Sequence, residues 1–353
     1  MKKIVVLSLL LIILPTMVNA VNLNTESIVV QDINSGRIFH SKNMDDKRLI
    51  ASTTKIMTAI VAIENSELYN IVKSGDEILT MYGSNIYLEY NENMVLLDLL
   101  YGLMLRSGND AAVTIANYVG GSIPNFVKMM NEKAKELGME DTTYNNPTGL
   151  DDDTKNYSTA RDLSKLYSYA YKNNIFKMIV GTKIYTTKSD KKSYEWSNKN
   201  KILKLYDKAT GGKTGYTPLA KRVLVTSASN KDLDVVISSF NNIYDYDLHT
   251  KLYEDVFNNY RNYLIVNKDT FKLEVDDSDK LYIKESFSYP LTSKEKEKIT
   301  TKIDMNNDNK SNIKGYLYVY LDDEIIKKID IYKQEEKTSF FDKIKKIFSK
   351  IID

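Results

Sequence analysis

Cysteine is absent from the 353 residues of this chain, which removes disulfides, thiolate metal sites and thiol nucleophiles together. Histidine is nearly absent as well, His40 and His249 being the two copies. A three-histidine metal site is therefore impossible, and any Ser-His-Asp triad must use one of these two. Lysine then heads the short list of groups that could activate a nucleophile. An excess of either charge is missing too, with a formal net charge of +2. That balance gives no reason to propose a nucleic-acid partner. Tyrosine is abundant at 26 residues but shows no stacking period that would mark a nucleic-acid surface.

One apolar run, Ile4 to Leu14, follows Lys2 and Lys3 and precedes the small-residue triplet Val18-Asn19-Ala20. This order of positive segment, apolar segment and cleavage site is that of a secretory signal. The run is short for a membrane span of ~20 residues, and Pro15 interrupts it. Cleavage after Ala20, and work outside the cytoplasm, are expected. An uncleaved membrane anchor is the alternative.

The remainder has the composition of a folded chain, with 42% hydrophobic and 27% charged residues. "SIVVQDINSGRIFHSKN" alternates and turns at Asn34-Ser35-Gly36, which predicts a β-hairpin. From Leu49 to Ala170 the spacing is mainly helical. "TTKIMTAIVAIENSEL" is apolar nearly all round, as a core helix should be. "LLDLLYGLMLRSGNDAAVTIANYVG" reads as two helices broken at Ser107-Gly108-Asn109. "KRVLVTSASN" and "DLDVVISSF" predict a second hairpin, and "TKLYEDVFNNYRNYL" a further helix. Strands before and after a helical middle indicate one α+β unit over 21–265, its sheet assembled from distant parts of the chain. Four short alternating runs over 266–334 predict a small all-β domain. The end, 335–353, places Phe340, Phe341, Ile344, Ile347, Phe348, Ile351 and Ile352 on one helical arc. Five lysines against two aspartates from Lys337 onward suit an amphipathic helix lying on an anionic membrane surface. A terminal helix docked on protein is the alternative.

Three short motifs carry chemistry. Ser52 and Lys55 stand at i and i+3, neighbours on one helical face, and the lysine leads an apolar helix. A serine hydroxyl needs an adjacent base, and burial near other cations disfavours an ammonium, leaving an amine able to take the proton. The spacing alone is weak evidence, because Ser-x-x-Lys recurs in polar surroundings at Ser189, Ser293 and Ser311. Ser107 and Asn109 sit at the helix break, where a hydroxyl and an amide can point into a cleft; Ser-Gly-Asn is also an ordinary turn. Lys213, Thr214 and Gly215 open a β-rich region; Lys-Thr-Gly is also a plausible strand start.

The ordered set is more specific: Ser-x-x-Lys, Ser-x-Asn about 55 residues on, then Lys-Thr-Gly about 106 beyond. With it, "DINSGRIFHSKN", "RLIASTTKIMTAIVAIE", "LMLRSGNDAA", "NNPTGLDDDTKNYSTARDL" and "GGKTGYTPLAKRVLVTSA" resemble the low-molecular-weight penicillin-binding proteins in their order. That family comprises serine-type D-Ala-D-Ala carboxypeptidases, peptidase family S11. The resemblance covers nearly the whole chain, including a small β domain and an amphipathic C-terminal helix. It implies a penicillin-binding, serine β-lactamase-like transpeptidase fold, an antiparallel sheet plus a helical subdomain.

The resemblance further implies an acyl-enzyme on Ser52 with Lys55 as its base. Ser107 would relay protons to the leaving D-alanine, and Asn109 would hold Lys55 and the substrate backbone. Lys213 and Thr214 would bind the terminal carboxylate, Gly215 would keep the strand edge clear, and the backbone N–H groups of Ser52 and Tyr216 would form the oxyanion hole. The implied partners are peptidoglycan stem peptides ending in D-Ala-D-Ala, β-lactam antibiotics and the membrane surface. No metal and no cofactor is implied. The chain departs from many family members in having Ala220-Lys221 where they have Ala-Gly. It also has no arginine between Arg222 and Arg261. A class A β-lactamase would want Ser-Asp-Asn at the second motif and a Glu-x-x-Leu-Asn loop after it, and neither occurs. A non-catalytic wall-binding protein, or a transpeptidase or endopeptidase acting on cross-links, remains an alternative at this stage.

Overall fold

The computed structural model describes residues 23–271, 273–274, 280–305 and 312–333. The expected signal segment and the expected C-terminal helix lie outside the described residues. Among the described residues, no helix is long and apolar enough to cross a membrane.

An antiparallel sheet frames the first unit. Its strands are β1 (Ser27–Asp32), β2 (Ile38–Lys42), β3 (Ala209–Thr217), β4 (Lys221–Ser229) and β5 (Asp234–Phe240), in the order β2-β1-β5-β4-β3. The N-terminal hairpin turns where the Asp32 carboxylate accepts the Ser35 N–H and hydroxyl, both at 2.7 Å, and Gly36 takes φ +77°. β1 then pairs with β5 from Ser27–Phe240 to Asp32–Val235, so the two ends of the unit share one sheet. Every residue of β1 is buried, as a central strand covered on both faces requires.

Period-2 alternation divides the core into two layers. Val29, Val225 and Val236 join one apolar cluster, whereas Ile28, Val235 and Ile237 join another. The first layer is capped by a helical lobe: α1 (Lys55–Asn65), α2 (Leu96–Tyr101), α3 (Asn109–Gly120), α4 (Ile123–Glu136), α5 (Ala160–Tyr171) and α6 (Asn174–Gly181). The second layer is capped by α7 (Asp245–Asn259), through Leu252, Tyr253 and Val256. The residues of α1 from Lys55 to Ala62 are all buried, in keeping with its unbroken apolar pattern.

The expected helix through "RNYL" is corrected. α7 stops at Asn259, and Arg261–Val266 is a strand, β6, paired with Phe287–Leu291. Alternation of exposed and half-buried residues outweighs helical spacing there. In the second unit the four alternating runs become more strands, because two of them are each divided: one splits between two sheets and the other folds back on itself. "KLYIKESFSYPL" contains both Lys280–Ile283 and Phe287–Leu291. "GYLYVYLDDEIIKKIDIY" becomes a hairpin of Ile313–Leu321 and Glu324–Lys333. Leu317, Val319, Ile329 and Ile331 line the small core. Arg37, in the first hairpin, reaches this unit. It donates to Pro290 O and to Glu295 Oε1, both at 2.5 Å, and lies 5.0 Å and 5.3 Å from the ring centres of Tyr260 and Tyr289.

Candidate active site

Ser52 lies in a single 3₁₀ turn, Ala51–Thr54, that leads into α1. The Thr53 hydroxyl donates to Ile50 O at 2.6 Å and tightens this turn. Lys55 begins α1 one turn later, which brings its Nζ to 3.2 Å from Ser52 Oγ. Nζ also donates to Asn109 Oδ1 at 2.7 Å and to Thr148 O at 2.5 Å. Thr148 precedes Gly149, whose φ of +83° and close approach to Ala51 leave no room for a side chain. A Cβ there would lie 1.9 Å from Ala51 O.

The break between α2 and α3 is a π-helical turn, Gly102–Arg106, ended by Ser107 in the left-handed region at φ 64°, ψ 37°. This twist frees the Ser107 hydroxyl from the helix and starts α3 at Asn109. The Asn109 side chain is fixed from both ends: Oδ1 accepts from Lys55 and Nδ2 donates to Tyr82 O at 2.7 Å. Asp110 braces the neighbouring loop by accepting the N–H groups of Ile86 and Leu88, each at 3.0 Å.

Lys213 comes from β3, the edge strand nearest this turn. Its Nζ donates to Ser107 Oγ at 3.0 Å and to Thr214 O at 2.7 Å. Two serine–lysine pairs thus face one cleft of about 510 Å³, whose lining includes Ser52, Ser107, Thr214, Gly215 and Tyr216. The space a Cβ would fill at Gly215 is bounded by Ala51 Cβ, Ile50 O and Ser52 N, each 3.2 Å away. Gly215 therefore lets β3 press against the turn that carries Ser52. All eight residues singled out from the sequence converge here, and Tyr216 stands at the rim, 64% exposed.

Electrostatics sharpen the assignment. Burial pushes the Lys55 ammonium well below the usual lysine range, with the nearby Lys213 and Lys199 charges adding to the effect and Asp110 opposing it. Burial, then the Lys199 charge, brings Lys213 down to about 7. Lys199 is itself lowered, by burial and by Arg106. His249, by contrast, is walled off. It is held neutral by burial, at about 3, between the Thr226 and Ser239 hydroxyls at 2.7 Å. It has no path to the cleft chemistry.

Sequence reading missed several members of this site. Lys199 lines the cleft and donates to Ser84 Oγ at 2.8 Å. Arg222 and Asp245 line it from β4 and the start of α7. Thr148 contributes only a backbone carbonyl, so its side chain carried no signal, although "NNPTGLDDD" around it was already conspicuous. Among the described residues no cluster of His, Asp and Glu could hold a metal ion.

Comparison with known proteins agrees with this geometry. A model of the peptidase S11 family, described as D-alanyl-D-alanine carboxypeptidase, matches residues 15–243. The chain is 31% identical over 300 residues to D-alanyl-D-alanine carboxypeptidase DacF of Bacillus subtilis, covering 82% of this chain and 76% of that protein. It is 36% identical over 220 residues to a D-alanyl-D-alanine carboxypeptidase of Streptomyces sp. strain K15, covering 57% and 75%. The fold is similar to that of penicillin binding protein 5 from Haemophilus influenzae, with a TM-score of 0.76 and 23% identity, over 88% of this chain and 96% of that one.

Proposed function

Because this chain belongs to the D-alanyl-D-alanine carboxypeptidases of peptidase family S11, we propose that it removes the terminal D-alanine from peptidoglycan pentapeptides through an acyl-enzyme on Ser52. The observation that carries this reading is the 3.2 Å approach of a fully buried lysine amine to the Ser52 hydroxyl. Ser52 Oγ gives its proton to the neutral Nζ of Lys55 as the oxygen attacks the penultimate carbonyl carbon. Negative charge then gathers on the carbonyl oxygen. The N–H groups of Ser52 and Tyr216 stabilise it, each such donor contributing about 3–4 kcal/mol in acyl transfer.

Collapse of this intermediate breaks the C–N bond. The proton held by Lys55 is relayed through Ser107, polarised by Lys213, to the departing amine of D-alanine, which leaves Lys55 neutral again and the ester on Ser52. Water, deprotonated by the same Lys55 amine, attacks that ester and releases the shortened peptide with Ser52 restored. Asn109 holds Lys55 in line throughout and offers its amide to the peptide backbone. The free edge of β3 suits an extended peptide, which can add to the sheet as one more strand. A β-lactam acylates the same serine.

The family acts on the cell wall, and we place the reaction on the outer face of the cell membrane. The apolar, lysine-rich segment 335–353 would hold the enzyme there. We assign residues 1–20 to export, 21–265 to catalysis and 266–334 to a supporting β domain. The test uses residues 21–336 with a diacyl-Lys-D-Ala-D-Ala peptide and measures free D-alanine, with Ser52→Ala as control. Release that vanishes in the variant supports the carboxypeptidase. No release from folded protein, with penicillin still forming a covalent adduct, would instead indicate a cross-link-directed enzyme.

A further inference from the structure

A carboxylate arriving in this cleft needs a cation that is charged at neutral pH and has a donor to spare. Lys213 meets them only in part: its ammonium is lowered to about 7, and two of its three N–H donors already go to Ser107 and Thr214. Lys199 is lowered too and donates to Ser84. Arg222 is different. A guanidinium stays protonated at any physiological pH, and the carboxylate of Asp245 raises it further.

Strand register puts Arg222 in the right place. Tyr216 pairs directly with Arg222, and Thr214 with Leu224, so all four side chains emerge on one face of the β3–β4 ribbon. All four line the cleft. Thr214 and Arg222 are diagonal neighbours, a separation of roughly 7–8 Å that one carboxylate and a long side chain can bridge. Asp245, at the first turn of α7, holds the guanidinium by two bonds, Nε to Oδ2 at 3.0 Å and Nη2 to Oδ1 at 2.8 Å. The Asp245 side chain is only 4% exposed, against 40% for Arg222. Nη1 has no hydrogen-bond partner among the described residues, and the Arg222 guanidinium lies 5.9 Å from the Tyr246 ring centre.

We propose that Arg222 is a specificity-determining residue: its Nη1 amino group binds the C-terminal carboxylate of the substrate beside the Thr214 hydroxyl, while Asp245 keeps the fork in register. This rests on the carboxypeptidase reading. Its consequence is selection for a peptide that ends in a free carboxylate over one whose end is capped.

The experiment compares native protein, Arg222→Gln and Arg222→Lys on a diacyl-Lys-D-Ala-D-Ala peptide and on its C-terminal amide, following release of D-alanine or D-alaninamide. Arg222→Gln is expected to raise KM for the acid at least tenfold, with kcat within threefold and KM for the amide unchanged. Arg222→Lys should recover part of the loss, because a point charge replaces a planar fork. A KM for the acid within twofold of native, or an equal rise for both peptides, overturns the assignment. A native chain that releases neither product overturns the functional reading instead. The assignment is then decided by acylation with benzylpenicillin and its methyl ester: selective slowing of the acid in Arg222→Gln upholds it, and equal rates reject it.

Discussion

Lys55 Nζ lies 3.2 Å from Ser52 Oγ at the floor of the cleft, and the same nitrogen lies 2.7 Å from Asn109 Oδ1. On the proposed mechanism the lysine is thus held between the group it deprotonates and the group that aims it. Changing Lys55 to Arg keeps a cation but removes the neutral amine, since a guanidinium does not give up its proton. Acylation by penicillin should fall by ~10²–10⁴, the usual worth of a positioned general base. Labelled penicillin measures this directly, and circular dichroism checks the fold. Acylation at the native rate would remove Lys55 from the base role.

The pH profile should have two limbs, with opposite signs. Lys55 must be neutral, and burial together with two cations lowers its ammonium. Activity therefore rises with pH on the acid side. Lys213 must keep its proton to polarise Ser107, and it loses that proton near 7. Activity should decline as pH climbs through that region. A kcat/KM profile of native protein tests both limbs, and Lys213→Arg should extend the alkaline limb upward.

Lys213 also weakens the fold below neutrality. Its folded-state value of about 7 lies under its ordinary 10.5, so the unfolded chain binds the extra proton between those limits. Stability contributed by this group therefore rises with pH from 7 to 10.5, and the full penalty, on the order of 5 kcal/mol, persists below 7. Lys213→Met should abolish activity yet raise Tm relative to native protein at pH 6. The advantage should shrink by pH 9.5. Melting curves at the two pH values decide it: an advantage that grows with pH contradicts the assigned shift.

Gly149 tests the coupling of backbone to base. At φ +83°, with Ala51 O only 1.9 Å from a would-be Cβ, alanine cannot be accommodated without moving either the Ser52 turn or Thr148 O. Gly149→Ala should destabilise by about 2–4 kcal/mol and slow acylation. Urea unfolding and penicillin labelling measure the two effects. An unchanged midpoint would show that the loop yields freely.

Arg37 joins the two units through one carbonyl, one carboxylate and two tyrosine rings. Arg37→Ala should leave D-alanine release within twofold, because no contact of Arg37 reaches the cleft. Native protein is expected to melt in one transition and the variant in two. A single unshifted transition would mean that other contacts suffice to hold the units together.

Much of the fold was legible because its signals are local. The alternation of β1 and β2, the Asn-Ser-Gly turn and the unbroken apolar pattern of α1 all arise from residues within a few positions of one another. The "RNYL" segment misled because a four-residue extension of a helix and the start of an edge strand differ little in spacing. Only the pairing of Arg261 with Leu291 distinguishes them. The divisions concealed in the second unit's two longer runs belong to the same class: where an alternating run breaks is decided by what each part pairs with.

In the site, the sequence by itself determined which groups could react. It contains no thiol and only two histidines, and it sets a serine one turn ahead of a lysine in an apolar helix. Tertiary structure decided everything that depends on distance. It set Lys213 against Ser107 across 106 positions, and Lys55 against Thr148 O across 93. It also brought Lys199, Arg222 and Asp245 into the cleft, where no motif marked them. The reason is physical. A side chain's identity and its local turn are encoded by near neighbours, whereas its basicity is set by burial and by whatever charges folding carries to within a few ångströms of it.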